Sequence, residues 1–278
     1  MNINSISNNA GPWGSLKTLN QHNDNYVNFL KPDQKEILPK VNTLDPNGKI
    51  LMGSYPGAGN KEEAMDKLDV LINELGVKTF LCLQESHELE ELSNYLPLAN
   101  RVAVSEGKEE PNFIHFPIRD IDIAKDDELL KFLKGDLIPQ IEKGDILPLY
   151  IHCRGGNGRT GTVSALLLSH LYGLDGNTAL EKVSDYHSTR KTPVFTAPET
   201  EEQEYQVLRL SESLTGIPSQ LSIDPNSEEQ EDEEELSHID LDSELARLTK
   251  LLKELDIDFD SEDDLSEITE TPTPEQIN

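Results

Sequence analysis

Ile151-His152-Cys153-Arg154-Gly155-Gly156-Asn157-Gly158-Arg159-Thr160-Gly161 is the stretch on which the reading of this 278-residue chain turns. The apolar run Leu147–His152 leads into it as a buried strand, and Val163–Leu174 leaves it as an apolar helix. A loop with three glycines at a helix N-terminus can turn its backbone N–H groups inward. With the positive end of the helix dipole, it then forms a cradle for an anion such as phosphate. The same field stabilises a thiolate at Cys153, which makes it a nucleophile at neutral pH. Arg159, at the helix start, supplies a planar bidentate fork for the equatorial oxygens of a transferring phosphoryl group. Arg154, Gly155, Gly156, Asn157 and Gly158 are the intervening substrate-binding positions.

Outward from this segment the pattern alternates. Lys49–Gly53 reads as an edge strand ended by a Ser-Tyr-Pro-Gly turn, and Lys61–Leu75 puts Ala64, Leu68, Leu71 and Ile72 on one helical face. Lys78–Leu83 and Phe113–Phe116 read as further strands, Glu128–Ile141 as a helix, and Thr178–Tyr186 and Pro198–Leu210 as two more. Such alternation predicts an α/β fold, with a central mixed, largely parallel sheet flanked by helices.

Lys and Arg number 24 against 53 Asp and Glu, a formal charge of −29, which argues against a nucleic-acid partner or bulk adsorption on anionic lipid. An anionic substrate must therefore be held locally. Residues 216–278 hold 21 of the acids and only 3 of the bases. The two cysteines, Cys82 and Cys153, build no disulfide framework, and no apolar run approaches the roughly 18 residues of a membrane span. A soluble, cytoplasmic protein without an integral membrane segment is expected. The alternative is a bacterial effector exported into a host cytosol, a compositional hint from the acidic C-terminus. The other histidines show no metal-ligand spacing, so no metal is expected.

Residues 1–45 read as an arm, 215–235 as an acidic linker and 259–278 as a disordered acidic tail. Between the last two, within 236–258, Leu241, Leu245, Leu248, Leu252 and Leu255 recur at spacings of 4, 3, 4 and 3 and form the apolar face of an amphipathic helix. That face would pack on the catalytic domain or dock a protein partner.

The His-Cys-x-x-Gly-x-x-Arg-Thr run resembles the Cys-x5-Arg signature of the protein tyrosine phosphatase superfamily, and residues 46–214 look most like its dual-specificity branch. The resemblance implies phosphomonoester hydrolysis through a phosphocysteine, without metal or other cofactor. His152 would tune the thiol, Thr160 assist breakdown of the intermediate and Arg159 clamp the phosphate. A leaving alkoxide needs a proton, and Asp120, in a Pro-Ile-x-Asp context 33 positions before Cys153, is the leading acid, with Asp122 as rival. By the same resemblance Arg190 would approach the phosphate or brace the loop, and Gln203 would line the site, while Glu199 stands where some relatives carry a water-orienting glutamine. Cys82 is either a small buried hydrophobe or, as in some lipid-phosphatase-like members, a redox partner of the nucleophile. Arg154 resembles a basic residue of phosphoinositide-directed members, whereas Asn157 replaces the second lysine they carry. The expected substrate is a phosphotyrosine protein, with phosphoserine or phosphothreonine in addition. Phosphoinositides are the alternative, and a phosphate-dependent binding module is the rival of another class.

Overall fold

The structure, a computed structural model, describes residues 28–219 apart from 46 and 93. The expectations for residues 1–27 of the arm, for the linker beyond 219, and for the leucine-striped helix and tail lie outside the described residues.

Five strands form one sheet in the order β1-β2-β5-β3-β4: β1 Val41–Thr43, β2 Ile50–Gly53, β3 Thr79–Cys82, β4 Asn112–His115 and β5 Leu149–His152. β1 runs antiparallel to β2, and every other neighbouring pair is parallel, as the alternating pattern predicts. β2 was expected at the edge. It lies inside the sheet instead, because Val41–Thr43, read from sequence as part of the arm, pairs along it. Three residues are too short a run for alternation to register.

Strand period assigns the two faces of the sheet. Ile50, Met52, Leu81, Leu149 and Ile151 point into a core shared with Leu129, Ile141, Val163, Leu167, Val183 and Val207. Leu51, Phe80 and Tyr150 point the other way, onto Leu68, Leu71, Tyr95, Ala99 and Val102. Helices α1 Pro32–Ile37, α2 Lys61–Asp69, α3 Ser86–Glu91, α4 Leu96–Ser105, α5 Asp126–Phe132, α6 Ile138–Lys143, α7 Gly158–Tyr172, α8 Gly176–Ser188 and α9 Glu201–Thr215 cover these faces.

α2 passes into a wider π-type turn at Val70–Glu74, and a second such turn, Leu133–Leu137, links α5 to α6, dividing the helix read over Glu128–Ile141. Pro139 offers no N–H to the carbonyl four residues before it, which fits the widening at that point. α3 and α4, between β3 and β4, carry no strong periodicity and were not anticipated. α7 lies against both α8 and α9 and is buried along nearly its whole length, which is why its sequence is apolar all round. No helix of the described residues is long and apolar enough to cross a membrane.

Candidate active site

The four parallel strands end together. Gly53, His152, Cys82 and His115 stand in register across β2, β5, β3 and β4, so the loops that follow them open at one edge of the sheet. This topology brings the loop after β4, which carries Asp120, to the loop after β5, which carries Cys153.

Cys153 is buried, and the Gly156 N–H donates to its Sγ at 3.2 Å. Gly156 has φ +79°, and a Cβ there would lie 2.3 Å from the Gly53 carbonyl carbon and 2.5 Å from the Ser54 nitrogen. Only glycine lets the loop curl this tightly against the end of β2. A Cβ at Gly158, the first residue of α7, would meet the Gln203 side chain at 2.7 Å. Gly155 is half-buried and Arg154 exposed.

α7 begins at Gly158, five residues earlier than the apolar run suggests, so Arg159 and Thr160 sit in its first turn. Arg159 is 2% exposed and closely held. Its Nη1 donates to Glu88 Oε2 at 2.6 Å and to the Ile118 carbonyl at 2.9 Å, and its Nη2 donates to Glu88 Oε1 at 3.0 Å and to Asp120 Oδ1 at 2.6 Å. Burial alone would push the Glu88 carboxyl up, but hydrogen bonds from Arg159 and from the Glu85 N–H outweigh it and hold the group below the usual carboxylate range. Thr160 is fully buried, and its hydroxyl has no partner among the described residues.

The two candidate acids are separated by geometry. Asp120 pairs with Arg159, whereas Asp122 turns to the Ile123 N–H at 2.8 Å and the exposed Arg119 at 3.9 Å. Ile121 between them has φ +59°, a left-handed conformation that throws the neighbouring side chains to different sides. Gln203 anchors the end of this loop by donating from Nε2 to the Asp122 carbonyl at 3.1 Å. Glu199 is exposed, and its N–H donates to Gln203 Oε1 at 3.0 Å.

His152 is wholly buried, its Nε2 2.7 Å from the Tyr95 hydroxyl, and burial pulls its pKa down to about 3. The ring is neutral at physiological pH and acts on the loop by position, not by charge. Two expected substrate-binding side chains point away from the cradle. Asn157 Oδ1 accepts from His187 Nε2 at 2.9 Å and from Arg190 Nη1 at 3.2 Å. Arg190, 4% exposed, donates to the Gly156 carbonyl at 3.0 Å and to Asn42 Oδ1 at 2.6 Å. Of the two readings for Arg190, bracing the loop from behind is the one this geometry supports. At Asn157 the backbone, not the amide, is left to meet a ligand.

Cys82 pairs in register with His152, the residue before the nucleophile, and both thiols are free and buried. Burial, with a smaller contribution from nearby Cys153, pushes the Cys82 thiol up to about 11, so it is protonated at neutral pH. Among the described residues no group of three His, Cys, Asp or Glu side chains is arranged to hold a metal.

Sequence reasoning missed Glu88, Tyr95, His187 and Asn42. Only Glu88 left a signal: as the N3 residue of α3 it closes a capping box, its Oε2 accepting from the Glu85 N–H at 2.8 Å. That pattern marks a helix start and says nothing of a buried arginine 71 positions away.

Comparison with known proteins identifies a family. Residues 51–207 match the family described as PTP-SAK, the Swiss Army Knife protein, DSP-PTPase phosphatase domain. The candidate tyrosine phosphatase 067L of Invertebrate iridescent virus 3 is 38% identical over 94 residues, which are 33% of this chain and 38% of that relative. The chain thus spans under two fifths of that relative's length. Among solved structures, the active form of Tk-PTP is 23% identical with a TM-score of 0.46, covering 63% of this chain and 97% of its own. PTPMT1 in complex with PI(5)P is 15% identical with a TM-score of 0.47 and the same coverage.

Proposed function

The chain belongs to the PTP-SAK family of DSP-PTPase phosphatase domains, and from that premise we propose that it is a cysteine-dependent protein phosphatase that hydrolyses phosphotyrosine monoesters through a phosphocysteine. The observation that carries the reading is the convergence of three groups from three elements: the Cys153 sulfur under the Gly156 N–H, the buried Arg159 fork, and the Asp120 carboxylate against that fork.

The chemistry follows from the bonds. Arg159 donates from Nη1 to Glu88 and the Ile118 carbonyl and from Nη2 to Glu88 and the half-exposed Asp120, while its Nε makes no bond among the described residues. An incoming phosphoryl group takes Nε and Nη2, the bidentate edge of the guanidinium, and displaces Asp120 toward the leaving oxygen. The Cys153 thiolate attacks phosphorus, the bond to the leaving oxygen breaks, and Asp120, released from Arg159 and entering the step as the carboxylic acid, gives that oxygen its proton and is left as the carboxylate. Water then attacks the phosphocysteine, Asp120 takes a proton from it, and the S–P bond breaks to return the Cys153 thiolate, a step in which the buried Thr160 hydroxyl assists. Arg159 and the loop N–H groups carry the charge of both transition states. Glu88 fixes the plane of Arg159, and Arg190 and Asn157 fix the loop.

The test is phosphate release, with chelator present, from phosphotyrosine and phosphothreonine peptides and a soluble phosphoinositide. Cys153→Ser should abolish turnover and keep ligand binding. Asp120→Ala should slow substrates with poor leaving groups by about 10²–10⁴-fold and good ones far less. Turnover surviving Cys153→Ser, or an equal Asp120→Ala effect on both substrate types, would remove the assignment.

A further inference from the structure

Beside the phosphate loop lies a cavity of about 280 Å³ that neither Cys153 nor Arg159 lines. Its rim carries Lys40, Lys67 and Arg154, and none of the described residues lining it is acidic. In a chain of net charge −29, three cations gathered around one recess run against the average surface. We infer that this recess is a second subsite, which holds an acidic side chain of a phosphoprotein substrate next to its phosphotyrosine. The inference rests on the phosphatase reading and narrows its substrate class.

The walls are firm. The Tyr55 N–H donates to the Arg154 carbonyl at 3.1 Å, and the Tyr150 hydroxyl donates to the Ser54 carbonyl at 2.6 Å, so the recess is tied to the loop that carries the nucleophile. Arg154 follows Cys153 directly, which places the subsite within a residue or two of a bound phosphotyrosine. Lys67 already pairs with Glu63 at 2.7 Å, but Glu63 is 53% exposed, and such a pair is screened by solvent and readily exchanged for a ligand carboxylate. Leu38, Val41 and Pro56 supply an apolar floor that suits the methylene stem of Glu or Asp. A phosphoinositide embedded in an anionic bilayer would meet the repulsion of the whole protein, which favours a soluble peptide.

The experiment compares two phosphotyrosine peptides of one sequence, with Glu or Gln on both sides of the phosphotyrosine, and a soluble inositol bisphosphate. Binding is read by fluorescence anisotropy on Cys153→Ser protein, with and without Lys40→Ala plus Lys67→Ala, at low and high salt. Turnover is read in parallel with Cys153 intact. Expected is roughly tenfold tighter binding of the Glu peptide, the equivalent of two or three partly screened ion pairs. That preference should shrink in high salt and fall to about twofold or less in the lysine variant. Equal binding of the two peptides, or a preference that survives loss of both lysines, overturns the inference. So does tighter lysine-dependent binding of the inositol bisphosphate, which would assign the recess to that headgroup. Failure of the phosphatase reading looks different: no turnover of any substrate, with the lysine-dependent peptide preference intact.

Discussion

Glu88 is the residue whose replacement tests the architecture most sharply. It supplies two of the four hydrogen bonds on the Arg159 guanidinium, and it is 4% exposed against 2% for the arginine. The second carboxylate, Asp120, has a side chain 52% exposed, so solvent screens its share of the pairing. Glu88→Gln keeps the shape but leaves the buried cation without its buried counter-charge and turns an amide N–H toward guanidinium N–H groups. Breaking one partner of a buried pair costs about 3–5 kcal/mol. A domain of this size holds roughly 5–15 kcal/mol, so the variant should fold with a much reduced margin. Activity should fall further than stability alone implies. Arg159 would lean on Asp120, its remaining carboxylate, and withhold the acid from the leaving group. Mispositioning of this kind costs on the order of 10²-fold in rate. Urea unfolding measures the first effect, and kcat/KM across aryl phosphates of rising leaving-group pKa measures the second, with the deficit growing along the series. A Glu88→Gln protein that loses under about 1 kcal/mol and keeps its rate on every ester would refute the claim that this pair positions the fork.

Three further outcomes are expected. Gly156→Ala places a Cβ 2.3 Å from the Gly53 carbonyl carbon at φ +79°, so the loop must shift by about an ångström, and kcat/KM should drop by roughly 10²-fold or more; near-normal turnover would mean the loop is looser than its packing implies. Arg190→Lys cannot reach Asn42, Asn157 and the Gly156 carbonyl together, and stability should fall by about 2–3 kcal/mol with a lower kcat and little change in substrate Kd; a raised Kd alone would instead assign Arg190 to the substrate. His152 and His187 are held neutral by burial, with pKa values pulled down to about 3 and about 4, so below pH 6.5 the unfolded chain binds protons that the native one does not. Stability should therefore be full above pH 6.5 and fall on acidification toward pH 4, by up to about 1.4 kcal/mol per pH unit for each ring, and His187→Gln should halve that slope; an unchanged slope would show that other groups carry it.

The sequence alone determined the strand-loop-helix that makes the chemistry, because every requirement of a phosphate cradle is local. Glycines that let the backbone turn, a cysteine at the end of an apolar strand and an arginine in the first helical turn all fall between Cys153 and Arg159, and short-range geometry links them whatever the remaining chain does. Unbroken apolar runs and helical spacing also carried the parallel sheet and its flanking helices, since β2, β3 and β5 are buried on both faces. What depends on partners distant in the chain was not legible. β1 is three residues long and is a strand only because β2 lies beside it. Asp120 and Asp122 look alike in sequence, and only the left-handed turn at Ile121 and the reach of Arg159 tell them apart. For Arg190 the resemblance left two readings, a phosphate ligand or a brace for the loop, and only the bond to Asn42, 148 positions away, and the bond to the Gly156 carbonyl favour the brace. Glu88 gave no sign of its role at all, because a carboxylate acquires the task of holding an arginine only when the fold has taken both out of water.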